Sequence, residues 1–157
     1  LGEALPAALV HGELSLLMSA LWFDIDHGDG TLASTFFTPD ASLTFSRRTF
    51  VGTAEIDGVY RTRAARGPRV SRHVTTNLHL TVRAPAAIEA VSILTLYAQD
   101  GEPPVPTTVP VLVADVYDTF VRAADRDGDG RPVWLIAARR IETRFLAPGG
   151  VLAVPTE

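Results

Sequence analysis

The chain predicts an α+β fold: a curved antiparallel or mixed sheet packed on amino-terminal helices, with the whole of residues 1–157 forming one domain. Three observations point there. Apolar residues recur at helical spacing near the amino terminus. Long segments from Arg72 onward alternate with a period of two. Gly- and Pro-rich turn signals separate those segments. Helices first and long antiparallel strands afterwards are the α+β order. Strands that bury one face against helices, if strongly curved, form a cone whose mouth can hold a ligand.

Ala7–Asp26 reads as the first helix, because Leu14, Leu17, Leu21 and Ile25 share a face that Met18 and Trp22 widen. The run Asp26-His-Gly-Asp-Gly ends it, with Gly28 available as a left-handed cap. A short second helix is expected over Thr31–Phe37, stopping before Pro39. Ala41–Ser46 reads as a strand, and Arg47–Val51 as a turn with a short partner strand. A third helix follows Gly52, with Thr53 as its N-cap and Ile56, Val59 and Tyr60 inward. Arg61–Arg69, with four arginines and a Gly-Pro, is expected to be a solvated loop.

The strands Arg72–Arg83, Ile88–Tyr97, Val111–Arg122 and Val133–Phe145 follow, with a Pro-rich loop at Gly101–Pro110 and an irregular tail over 146–157. Asp125–Gly130, DRDGDG, imitates the start of a calcium loop. Its eighth position is Pro132 and its twelfth is Ile136, where a bidentate Glu belongs, so it reads as a charged hairpin turn.

Composition removes several chemistries. There is no cysteine and no lysine, so thiolate nucleophiles, Cys-bound zinc and lysine Schiff bases are excluded. Net charge of −4 argues against general nucleic-acid binding. No uninterrupted apolar run reaches the roughly 20 residues of a membrane span, so no membrane partner is expected. Leu1–Val10 lacks the positive start of a secretory signal, which points to the cytoplasm. No metal or other cofactor is expected: the histidines show no ligand spacing, and no GxGxxG or Walker loop occurs.

The segment RHVTTNLHL at Arg72–Leu80 is the most informative. Simple alternation puts His73, Thr75, Asn77 and His79 on one face and Val74, Thr76, Leu78 and Leu80 on the other. A strand that lines a cavity with one face and packs a core with the other has this pattern. Asp26, four residues beyond Trp22, continues an apolar helical face, where a carboxylate is desolvated unless paired. An imidazole is a natural partner, and the two together make a general base whose tautomer is fixed. The alternative is a turn-capping Asp26 and a core His73. Tyr97 and Tyr117 offer phenol donors, Asp115 a second acid and Asn77 an orienting amide; each also has an ordinary structural reading. Arg139 and Arg140 point to opposite faces, and one is a candidate for an anionic substrate group.

Five motifs in this order resemble the SnoaL-like branch of the nuclear transport factor 2-like superfamily. They are WFDIDHGD at Trp22–Asp29, FFTPDASL at Phe36–Leu43, VGTAEI at Val51–Ile56, RHVTTNL at Arg72–Leu78 and VWLIAARRI at Val133–Ile141. That branch includes polyketide cyclases, scytalone dehydratase and bile-acid dehydratase-like proteins. The resemblance implies a cone-shaped, cystatin-like α+β barrel, and catalytic roles for Asp26 and His73. It aligns Tyr97 with a second histidine of the scytalone type, and Asp115 and Tyr117 with a Ser and an Asn, so these pocket positions differ. With Trp22 and Asn77 they form the expected substrate-binding set. The implied function is a cofactor-independent lyase, isomerase or cyclase acting on a cyclic apolar carbonyl compound such as a polyketide, steroid or terpenoid. The chain is expected to be a homodimer through the outer face of its sheet. A non-catalytic binding protein, or a subunit like a dioxygenase β chain, is the alternative.

Overall fold

A computed structural model describes residues 6–84, 87–123 and 133–152. The calcium-like run at 125–130 and the end of the tail lie outside these residues. Helix α1 spans Ala7–His27 and buries Val10, Leu14, Met18, Leu21, Trp22 and Ile25. These positions recur every three or four residues, so one stripe faces the sheet. By length and composition alone this helix is apolar enough to cross a bilayer, although its sequence holds no uninterrupted apolar run. Here its stripe is core. After it, Asp24 O accepts from both Gly28 N and Gly30 N. The left-handed residue is Gly30 (φ 75°), whereas Gly28 has φ −109°. The expected second helix is only a 3-10 turn, Ala33–Phe36.

Strands β1 (Phe37–Phe45) and β2 (Arg48–Val51) form a hairpin around Ser46 and Arg47, both at positive φ. Helix α2 spans Gly52–Ala65. Its start is served by Glu55, whose Oε2 accepts from Val51 N, rather than by Thr53. The arginines expected in a loop therefore lie on the last turns of α2 and the start of β3 (Arg69–Ala84). β4 (Ala87–Asp100), β5 (Leu112–Ala123) and β6 (Val133–Leu146) complete the sheet.

The strand order is β2-β1-β6-β5-β4-β3; β1 and β6 are parallel and every other pair is antiparallel. The sheet is mixed, curved and open, with β2 and β3 at its edges. Leu14, Leu21, Ile56, Phe120 and Ile136 are wholly enclosed between helices and sheet. Each such side chain contributes about 1.5–3 kcal/mol by leaving water.

Two bulges decide which residues face the helices. In β3, Thr76 pairs with Ile93 and His79 with Val91, so one extra residue intervenes; Asn77 there has φ 55°. In β6, Ala138 pairs with Thr119 but Ile136 with Phe120, leaving Ala137 unmatched. A bulge shifts the alternation by one. The simple alternation expected over Arg72–Leu80 therefore breaks: Ser71, His73 and Thr75 point inward before it, Leu78 and Leu80 after it.

Candidate active site

Asp26 reaches the start of β3 from the last turn of α1. Its Oδ1 lies 2.6 Å from His73 Nδ1, and its Oδ2 accepts from the His73 backbone N at 2.7 Å. Ser71 Oγ donates to Oδ1 at 2.7 Å. Arg63 Nη2 in turn donates to Ser71 Oγ at 2.7 Å. The result is a chain of four side chains, Arg63–Ser71–Asp26–His73. The Asp26 side chain is 5% exposed and that of His73 11%. Burial alone pushes the Asp26 carboxyl up, but the hydrogen bonds and charge of His73, with Ser71, win and hold it below the usual carboxylate value.

That carboxylate is acceptor-only, so His73 Nδ1 is the donor in this bond and Nε2 carries the lone pair. The indole of Trp22 stacks on the imidazole, centroids 4.2 Å apart and planes 1° from parallel. Trp22 Nε1 donates to Thr75 Oγ1 at 3.0 Å, which fixes the indole in place.

His73 lies in the wall of a hollow of about 830 Å³. Inward residues of β3 and β4 (Ser71, His73, Leu96, Ala98) form one side; α2 and the β1–β2 hairpin form the other. This volume lies in the range of small-molecule sites, roughly 300–1,000 Å³. A smaller groove of about 580 Å³ runs between α1 and edge strand β3, and Trp22, Asp26, His73 and Asn77 all touch it. The larger hollow is the better candidate chamber, because His73 meets Ser71 and Arg63 there beside the apolar side chains Phe45, Phe50, Leu96 and Ala98. Among the described residues, no three His, Asp or Glu side chains converge as a metal site would require.

Of the residues expected at the site, the fold brings Asp26, His73 and Trp22 together. Asn77, at the β3 bulge with its side chain exposed, shares the smaller groove with them but does not line the larger hollow. Tyr97, Asp115 and Tyr117 are not in the chamber. β4 turns its even-numbered residues inward from Ile88 to Ala98, and β5 does so from Ala114 to Phe120. These three odd-numbered residues therefore stand on the outer face. There Arg144 Nε donates to Asp115 Oδ2 and Arg144 Nη2 to the Tyr117 phenol, while Arg140 lies over the Tyr117 ring.

Sequence reasoning missed Ser71 and Arg63. Ser71 was detectable, since it stands two residues from His73 on the same side of a strand. Arg63 was hidden by assigning its segment to a loop. The Arg139–Asp118 pair was missed too. Arg139 Nε and Nη2 donate to the two Asp118 oxygens at 2.7 and 2.9 Å, with both side chains almost fully enclosed. Of the two neighbouring arginines, Arg139 is the inward one and Arg140 the outward one.

A comparison with family models matches residues 9–140 to the SnoaL-like domain. Solved structures of similar shape include a candidate scytalone dehydratase from Novosphingobium aromaticivorans, 14% identical, with TM-score 0.75 over 93% of this chain and 91% of that one. ActVI-ORFA from Streptomyces coelicolor is 19% identical, with TM-score 0.72 over 91% of this chain and 100% of that one. A protein from Nostoc punctiforme described as having a cystatin-like fold is 20% identical, with TM-score 0.72 over 96% and 100%. At these identities the likeness establishes the fold. A comparison with curated proteins found no match.

Proposed function

The chain belongs to the SnoaL-like domain family, and from that premise we propose that it is a cofactor-independent lyase or isomerase acting on a cyclic, largely apolar carbonyl compound. The observation that carries this reading is the 2.6 Å contact between Asp26 and His73, with His73 in the wall of a hollow of about 830 Å³. Nε2 of His73 takes a proton from the carbon α to the substrate carbonyl. The C–H electron pair becomes the C=C bond of an enolate as the carbonyl π pair moves onto oxygen, and Asp26 stabilises the imidazolium that forms. In an elimination the imidazolium returns that proton to a hydroxyl on the β carbon, which leaves as water. In an isomerisation it returns the proton to a different carbon. Arg63 is the cation of the four-membered chain, and its remaining N–H groups are the natural partners for the enolate oxygen. The similar fold of a candidate scytalone dehydratase supports the elimination form of this reading.

We propose further that the protein acts as a homodimer through the outer face of the sheet, which carries the exposed Tyr97 and Phe145.

Exchange of α protons into deuterated water, followed by NMR on bicyclic ketones such as β-tetralone, tests the proton-transfer step without a known substrate. The protein should catalyse exchange, and His73→Ala should slow it by about 10²–10⁴-fold while keeping its near-UV circular dichroism. Unchanged exchange in His73→Ala would leave the protein as a binding module with the same chamber.

A further inference from the structure

Five arginines away from the hollow are neutralised by acids, although Arg47 and Arg72 there have no acidic partner among the described residues. Arg61, Arg83, Arg139, Arg140 and Arg144 each lie on a carboxylate: Asp57, Glu89, Asp118, Glu142, and Asp115 with Glu142. Four arginines line the hollow: Arg48, Arg63, Arg66 and Arg69. Among the described residues, only Arg69 of these four has such a partner, Asp100 at 2.7 Å. Arg63 donates to the neutral hydroxyl of Ser71. Among the described residues, Arg48 and Arg66 have no acidic partner, and Arg48 lies over the Phe50 ring, 4.6 Å from its centroid. The lining holds one carboxylate, Glu55, and its Oε2 is taken by the Val51 backbone N. In a chain of net charge −4 this hollow is a local excess of positive charge.

Burial, and then the Arg69 charge beside it, hold the Arg63 guanidinium below its usual value. An anion entering here would relieve that repulsion. The apolar wall lies close by: Phe45 and Phe50 stack with centroids 5.5 Å apart, and Leu96 and Ala98 continue the surface.

The geometry points to a substrate that carries an anionic oxygen group of the carboxylate kind, held at the rim by Arg48 and Arg66, with its cyclic body on the phenyl wall and its acidic C–H toward His73. This rests on the proposed function for the position of the reacting carbon, but not for the charge preference. Guanidinium groups match carboxylate oxygens in a planar, two-pronged way, and such charge-assisted bonds are about twice as strong as neutral ones.

Titration calorimetry at low ionic strength with 2-naphthaleneacetate and its neutral amide tests the preference. The acid should bind at least about tenfold more tightly, a difference of about 1.4 kcal/mol. Added salt should weaken the acid and leave the amide unmoved. In Arg48→Gln/Arg66→Gln the preference should fall to within about twofold while amide affinity is kept, which shows that the chamber is intact. Equal binding of acid and amide, no binding of the acid at millimolar concentration, a preference that survives the double substitution, or a variant that loses both ligands alike would each overturn the proposal. His73→Ala should keep the preference. Failure of proton exchange with the preference intact would sink the enzyme reading alone; the reverse result would sink the anion site alone.

Discussion

Among the described residues, two buried carboxylates each lie on a basic side chain, and the two pairs are built for different ends. Asp118 and Arg139 are closed off, with side-chain exposures of 1% and 0%. Both Asp118 oxygens are engaged by one guanidinium. Burial opposes the Arg139 charge, but Asp118 outweighs it and lifts its value further, so this cation keeps its proton at any ordinary pH. Asp26 and His73 make a similarly short contact, yet the basic group here is an imidazole, a group that can take up and give back a proton, and it borders a hollow. A buried carboxylate and its basic partner become a candidate for proton chemistry only when the partner can exchange a proton and a ligand can reach it. The first pair fixes the packing of β5 on β6; the second has the features of a catalytic base.

The contrast can be broken at its structural end first. Asp118→Ala strands a buried guanidinium and should cost about 3–5 kcal/mol, read from urea unfolding. Asp118→Leu/Arg139→Met, which removes both charges at similar volume, should recover most of that loss. A double variant as unstable as Asp118→Ala would mean that Arg139 serves more than its own neutralisation.

The bulge that separates His73 from Leu78 and Leu80 is the next lever. Asn77 holds φ 55°, a conformation open to Asn and Gly but not to β-branched residues. Asn77→Val should therefore destabilise by about 1–2 kcal/mol, and Asn77→Gly far less. Equal losses for the two would show that the bulge depends on the amide side chain and not on the backbone angle.

The smallest effect sharpens the acid–base end. The Asp26 carboxyl is held below its unfolded value, so it binds a proton less readily in the folded protein. Its stabilisation is complete above the unfolded value near pH 3.8 and is lost as pH falls through the lowered folded value. Melting temperature followed downward from about pH 5 should fall more steeply for the wild type than for Asp26→Asn. Parallel curves would remove Asp26 from the acid limb.

Local patterns in the sequence were enough to indicate the α+β order, the first helix and the long strands; they offered Asp26 and His73 as a pair only beside a turn-capping aspartate and a core histidine, and the family resemblance gave the pair its catalytic reading. Each of these depends on short-range periodicity or on a residue type whose burial demands a partner. They did not reveal that Tyr97, Asp115 and Tyr117 face outward, that Arg139 and not Arg140 is enclosed, or that Arg48, Arg63 and Arg66 gather at one chamber. Alternation says that neighbours in a strand point apart; it does not say which face meets the helices, and one inserted residue reverses the answer. Asn77 and Ala137 are such residues, and their effect exists only because β3 and β6 are hydrogen-bonded to their neighbours in a particular register. The position of every inward side chain beyond a bulge is thus a property of the paired sheet, set by tertiary contacts that no single strand encodes.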